Sequence, residues 1–481
     1  MSIDRQLSRS LFWGLLTHTF LPPMSRLNCP EFRKSRRELL QIGGCSLLGL
    51  GMSQLLQARA AASASGSFGK AKRCIFFFLW GGPSHLDTLD PKPFAPDNVR
   101  GPFAPIATSV PGQQISELLP ELAQRMHDVA VIRSLNHTDP AHLSSAHVTL
   151  TGQLAPVPRS DAEPPSERDS PHIGSILARL RPAPDGLPPF VTMPWIAFHP
   201  AAPGGQAPGQ KAGWLGHAYD PMLIEGDLNQ PDWSVPALKL QDSLSLQRLH
   251  DRRQLAALVD QQYAALRDSL PGRNMSEFQS QATGLLTSAK VRDAFDLQQE
   301  SAEIRDRYGR HTHGQCVLLA RRLSERGVPL VCVNWHNDGG SFWDTHGNNF
   351  NRLKNDLCPP ADQSLSALID DLKDRGLWEE TVIAWVGEFG RAPVINGSSG
   401  REHHPFCFSG LLAGAGIRGG ATYGQSDSTG AYPARDPVSQ HDYAATLLHV
   451  LGVPADLTLG DREQRPHRLY AGHPVQEILE T

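Results

Sequence analysis

Histidine is the residue type that first asks for an explanation: the chain holds 20 of them in 481 residues, and they gather beside carboxylates. One group is Gly81-Gly-Pro-Ser-His-Leu-Asp87-Thr-Leu-Asp90-Pro-Lys-Pro, and a second is Asn136-His137-Thr-Asp139-Pro-Ala-His142-Leu-Ser144-Ser145-Ala-His147. A third is His336-Asn-Asp338-Gly-Gly-Ser-Phe-Trp-Asp344-Thr-His346. The fourth joins Gly387-Glu388-Phe-Gly-Arg391 to Gly400-Arg401-Glu402-His403-His404. Imidazole nitrogen and carboxylate oxygen together suit Zn, Mn or Fe better than the all-oxygen sites that Ca or Mg prefer. Several carboxylates sharing one pocket also need a compensating cation, because like charges at close range force protonation. The pattern therefore predicts a site for one or two divalent metal ions. Single members have ordinary alternatives: Asp87 or Asp90 as a turn residue beside Pro91, His137 or His147 as a satisfied, partly buried histidine.

Each group follows an apolar run. Residues 74–80 are continuously apolar, as a strand covered on both faces must be, and 129–132, 328–333, 381–386 and 409–413 read as further strands. Helical periods cover 315–326, 362–375 and 443–451, the last stopped by Gly452 and Pro454, with Ser439 as the expected N-cap before His441 and Asp442. Alternating strands and helices predict an α/β fold with a mostly parallel central sheet flanked by helices. In such sheets ligand sites lie beyond the carboxyl ends of the strands, where these four loops begin. Residues 153–171, rich in proline and charge, read as a loop insertion. Residues 236–310 read as a helical insertion, with Leu255, Leu258, Val259, Tyr263 and Leu266 on one stripe.

The first 64 residues read as an address. Ser35-Arg36-Arg37 precedes an apolar run from 42 to 56, followed by Ala58-Arg59-Ala60-Ala61-Ala62, which is the layout of a signal peptide. Paired arginines specify the twin-arginine translocase as the partner during export. The run is too short for a stable membrane span of about 20 residues. A mature chain beginning between 61 and 65, in the periplasm or cell envelope, is expected, with Met24 as an alternative start to Met1. Of seven cysteines, five remain after the leader (Cys74, Cys316, Cys332, Cys358, Cys407), and without a CxxC pair they read as buried small hydrophobes. With 45 basic against 49 acidic residues and a net charge of −4, the chain lacks the basic excess of a nucleic-acid binder. A hydrophobic content of 40% supports a sizeable core, so residues 65–481 are read as one domain.

Taken together, the twin-arginine leader, Gly81 to Pro93, Trp343-Asp344-Thr-His346, Gly387-Glu388-Phe-Gly-Arg391 and Gly400-Arg401-Glu402-His403 resemble a large bacterial family of exported proteins, domain of unknown function 1501. That family is classed with the alkaline-phosphatase and sulfatase superfamily. The resemblance spans nearly all the chain after the leader and departs at Glu402, where the family usually has Asp. The likeness to sulfatases is looser. Asp370 to Trp378 and 381–386 match a sulfatase helix and strand, but where sulfatases have Ser-Asp-His-Gly this chain reads Gly387-Glu388-Phe389-Gly390. Leu150-Thr151-Gly152 is similar to the end of the sulfatase nucleophile motif, with His142 at the position of the modified Cys or Ser. The formylglycine motif is therefore absent.

The resemblance implies an alkaline-phosphatase-like fold and an exported metal-dependent hydrolase acting on a phosphate or sulfate ester, either a small anionic ester or a sulfated or phosphorylated glycan. Asp87, Asp344, His346, Glu388 and His403 are the expected metal ligands. His142 is expected as a ligand or general acid/base, because its ordinary pKa lies near working pH. Arg391 and Arg401 would clamp the anion, with structural ion pairing as the alternative. Ser144 and Ser145 are the hydroxyls placed to attack, and a hydroxide on the metal is the other candidate. A catalytically silent, metal-containing binding protein of the cell envelope is the alternative from another class.

Overall fold

β1 (Arg73–Phe78) runs through the middle of the molecule, and every residue after Arg73 is buried. Its alternating side chains enter two separate cores, Ile75 and Phe77 on one face, Cys74, Phe76 and Phe78 on the other. The remaining strands of the central sheet are β2 (Val129–Asn136), β3 (Phe190–Met193), β4 (Met222–Leu223), β5 (Leu330–Asn334), β6 (Thr381–Val386) and β7 (Phe408–Gly414). In this computed structural model the described residues are 66–199, 204–235, 288–335 and 342–481, with isolated positions between 238 and 255. The leader, His336, Asp338 and the stripe residues Leu258, Val259, Tyr263 and Leu266 lie outside them.

The sheet order is Thr422–Tyr423, β2, β7, β6, β1, β5, β3, β4, with Val438–Ser439 also paired to β2. β1 is parallel to β5 and β6, and β3 is parallel to β5 and β4. β7 runs antiparallel to both β2 and β6. The architecture is thus a mixed, mostly parallel sheet flanked by helices, as the alternation predicts. The strand at β7 is expected but its antiparallel direction is not, since an apolar run carries none, and the four-residue β3 is too short to stand out.

Helices α1 (His142–Thr151), α2 (Ile173–Leu180) and α7 (Gln440–Val450) cover the Cys74 face. The opposite face carries α3 (Ala289–Phe295), α4 (Ala302–Tyr308), α5 (Thr312–Glu325) and α6 (Cys358–Asp374). Ser439 caps α7 in a capping box with Asp442, as expected. Residues 288–310 pack into the core through Val291, Phe295 and Tyr308, all 3% exposed or less. Between α5 and α6 the buried Arg321 meets Glu300 at 2.8 Å, Glu325 at 2.7 Å and Asp371 at 2.9 Å. A buried guanidinium needs such partners, since an unpaired buried charge costs several kcal/mol. Residues 153–171 form no helix or strand and fold back on the start of α1, where Asp161 accepts from the Leu143 amide at 3.0 Å. Cys74, Cys316, Cys332, Cys358 and Cys407 are all buried and unpaired. No helix among the described residues is long and apolar enough to cross a membrane.

Candidate metal centre

The segments that follow β1, β2 and β6 come together with the Asp344 loop beyond the carboxyl ends of these strands. Gly81 and Gly82 turn the chain away after β1 with φ of 106° and 74°. A Cβ on Gly81 would stand 2.3 Å from the Asp344 amide nitrogen, so only glycine lets the Asp344 loop lie against this turn. Glu388 follows β6 by two residues and is fully buried; the Gly81 amide donates to its Oε1 at 2.9 Å. A two-stranded ribbon pairs Gly390–Arg391 with His403–His404 in antiparallel register, and this sets His403 beside Arg391.

Asp344 is the centre of the arrangement. Its Oδ1 lies 3.0 Å from His346 Nε2 and 3.2 Å from His403 Nε2, and it also accepts from Arg391 Nη2. Its Oδ2 lies 3.4 Å from His142 Nε2, which makes no hydrogen bond. Each imidazole turns its other nitrogen to an acceptor: His142 Nδ1 to Glu388 Oε1 at 2.6 Å, His346 Nδ1 to Glu402 Oε2 at 2.5 Å, His403 Nδ1 to the Pro140 carbonyl at 2.9 Å. A carbonyl or an ionised carboxylate only accepts, so the three Nδ1 atoms carry protons, and any Nε2 that bonds ionised Asp344 without an ion between them carries one as well. The three Nε2 atoms are the ones aimed at Asp344. Outer acceptors that fix the tautomer in this way are the usual support of metal-ligating histidines.

The charges follow from the same contacts. Burial acts first on Asp344 and upward, but His142, His346, His403 and Arg391 outweigh it and hold the carboxyl far below its usual range. Burial also pulls His142 down, yet the carboxylates of Asp344 and Glu388 beside its two ring nitrogens prevail and push it up to about 9. His346 is raised, mainly by its bond to Asp344, whereas burial lowers His403. The pocket therefore demands positive charge. A proton supplies it on His142, and a divalent cation between the Nε2 atoms and Asp344 would supply it better, since His346 Nε2 and His403 Nε2 face each other at 2.9 Å. One ligand atom from each of His142, Asp344 and His403 lies within 4.8 Å of the others. Glu388 Oε2 is buried with no hydrogen-bond partner, one more donor at the edge of the group. The residues fit a nitrogen-rich site for a divalent ion.

The family model described as "Protein of unknown function (DUF1501)" matches residues 71–479. The chain belongs to that family. No curated protein matches it. Among solved structures, Ps i-CgsB in complex with k-i-k-neocarrahexaose is similar over 80% of this chain and 72% of that one, at 10% identity and a TM-score of 0.38. The lipoteichoic acid synthase LtaP from Listeria monocytogenes covers 81% of this chain and 74% of its own, at 10% identity and a TM-score of 0.32. The phosphonate monoester hydrolase SpPMH from Silicibacter pomeroyi covers 84% and 76%, at 13% identity and a TM-score of 0.32.

Of the residues singled out in the sequence, Asp344, His346, Glu388, His403 and His142 do meet. Asp87 does not join them. Its carboxylate takes Arg401 Nε at 2.7 Å and Nη2 at 3.1 Å, Ser84 Oγ at 2.6 Å and Asn349 Nδ2 at 3.0 Å. Asp87 and Arg401 are both fully buried in side chain, so each neutralises the other. Arg401 gives its remaining donors to the Val99, Ala392 and Pro393 carbonyls. Arg391, fully buried, gives four of its five donors to the Gly81, Gly82 and Arg401 carbonyls and to Asp344. Arg401 is structural here, with every donor taken, whereas Arg391 reaches the site through its bond to Asp344. Ser145 is fully buried and donates to the Asp139 carbonyl at 2.8 Å, while Ser144 Oγ accepts from the Ser160 amide at 3.2 Å.

Three residues at the site were not among the expected ligands, catalytic groups or anion clamps. Glu402 holds His346; its place before His403 was the available signal. Phe389, fully buried, wedges between the imidazoles, 4.8 Å from the His142 ring and 4.7 Å from His403. His199 brings a fourth imidazole to the group, its ring 5.6 Å from that of His142, and nothing in its sequence neighbourhood marks it.

Proposed function

We propose that this DUF1501 protein is an exported metal-dependent hydrolase of phosphate or sulfate esters. The observation that carries the reading is the convergence of three Nε2 atoms on Asp344 with every Nδ1 tied to an acceptor. Asp344 with His142, His346 and His403 would hold the ion, and Glu388 would hold His142. A divalent cation bound there supplies a Lewis acid for an ester oxygen. Burial lowers His199, so its imidazole is largely neutral at pH 7 and able to take a proton from an attacking water. Because Ser144 and Ser145 are committed elsewhere, attack by water is preferred to a serine ester. The same commitment supports the second reading, a metal-containing binding protein without catalysis. The paired arginines Arg36 and Arg37 ahead of an apolar run support export for either protein.

The test is metal analysis of the purified mature chain, followed by phosphate and sulfate monoesters with and without chelator. About one or two equivalents of metal and chelator-sensitive cleavage are expected. A fully metallated protein that cleaves none of the esters would leave the binding protein as the better reading. A protein that takes up no divalent metal would end both.

A further inference from the structure

The three imidazoles around Asp344 are not equally secured. His142 is 3% exposed in side chain and His403 21%, but His346 is 42% exposed. The Nδ1 acceptors differ in the same way: buried Glu388 for His142, a backbone carbonyl for His403, and for His346 a Glu402 side chain that is itself 57% exposed. A solvated glutamate is ordinarily free to leave such a partner, and surface ion pairs contribute roughly 0–1 kcal/mol.

Here the glutamate is held. Asn396 Nδ2 donates both to Glu402 Oε1 at 2.6 Å and to the His346 carbonyl at 2.8 Å, which joins the two residues from a third point. Asn396 Oδ1 in turn accepts the Ser398 and Gly400 amides, each at 2.9 Å, and this closes the loop on itself. The loop lies flush on His346: a Cβ at Gly400 would fall 1.9 Å from the His346 carbonyl oxygen. The loop from Asn396 to Glu402 is a clip with His346 in its jaw.

We propose that Glu402, steadied by Asn396, is the positioning residue of the metal centre, fixing the tautomer and ring angle of its outermost ligand, His346. The inference rests on the metal reading above. With Nδ1–H bonded to a carboxylate, Nε2 keeps its lone pair for the ion and gains basicity. Without Glu402 the exposed ring is free to rotate and to carry its proton on Nε2, where it competes with the metal.

The measurement is Zn²⁺ affinity by competition with a chromophoric chelator, on the wild type and on Glu402→Ala, Glu402→Gln and Glu402→Asp. Glu402→Ala should weaken Zn²⁺ binding by about 10–100-fold. Glu402→Gln should lose less, since its amide oxygen still accepts from Nδ1, and Glu402→Asp should recover much of the affinity. Metal-free thermal unfolding should stay the same in all four, which separates positioning from folding. Wild-type affinity in Glu402→Ala would overturn the inference while leaving the metal reading intact. A wild type that binds no Zn²⁺, Mn²⁺ or Fe²⁺ would overturn the reading beneath it.

Discussion

His346 and His403 point their Nε2 atoms at one another across 2.9 Å, although each has its Nδ1 proton committed to an acceptor on the far side. Two lone pairs cannot face each other so closely without something positive between them. One imidazole must carry a second proton, or a cation must sit where both can reach it. His403→Ala removes one of the two and should cost the site its metal, measured as equivalents of bound ion after dialysis, with circular dichroism unchanged. Because protons compete for the same Nε2 atoms, wild-type metal affinity should fall as pH drops. Full metal content in both His403→Ala and His346→Ala would show that the ion, if any, lies elsewhere.

Ser145→Ala removes a hydroxyl whose one visible task is a bond to the Asp139 carbonyl inside the domain. A modest loss of about 1 kcal/mol in urea unfolding is expected, together with unchanged metal content and unchanged hydrolysis of any ester found to be a substrate. Hydrolysis abolished with metal retained would put the hydroxyl back in the chemistry.

Asp87→Asn tests the opposite assignment. The substitution leaves the fully buried Arg401 guanidinium without its counter-charge, a mechanism that typically costs about 3–5 kcal/mol. Stability should fall by that order, while the molecules that remain folded bind metal as the wild type does. A variant of wild-type stability that has lost its metal would mean that Asp87 is a ligand after all.

Asp362 on α6 gives a pH signature away from the metal. Its carboxylate accepts the Glu121 and Leu122 amides at 2.8 and 2.7 Å, but burial dominates and raises it to about 6. A carboxyl raised on folding stabilises the fold below its unfolded value near 4, and that contribution is lost as pH climbs through about 6. Relative to Asp362→Asn, the wild type should therefore lose on the order of 2–3 kcal/mol between pH 4 and pH 7. Urea unfolding of both proteins across that window checks it, and a constant difference would show that the carboxyl is ionised in the folded chain throughout.

Export is tested at Arg36 and Arg37. Replacing both by lysine should leave an unprocessed precursor in the cytoplasm, seen by fractionation and immunoblot. Normal processing of that double variant would point to the general secretory route.

The sheet was legible because burial on both faces leaves no polar residue in β1 after Arg73 or in β6 after Thr381, and such runs survive any reading frame of the pleat. Direction was not legible: nothing in Phe408–Gly414 says antiparallel. The site was legible as far as residue type and loop position reach, which is why Asp344, His346, His403 and His142 could be grouped. Asp87 shows where that reasoning stops. It stands in the same kind of loop as the ligands, and only a tertiary contact from Arg401, 314 residues away, turns it from a ligand into half of an ion pair. Glu402 errs the other way. Beside His403 it reads as a variant of a motif Asp, and its partner His346 is 56 residues off.

The five buried thiols of the domain have a practical consequence. Burial pushes Cys74, Cys316, Cys332 and Cys358 well up, and Cys407 to about 12, so none of them offers a thiolate to an oxidant or an alkylating reagent while the chain is folded. The domain can pass through an oxidising compartment without scrambled cross-links, and its folding state can be read there chemically. Iodoacetamide should mark native molecules only as fast as they open, which makes the silent cysteines a built-in clock for unfolding.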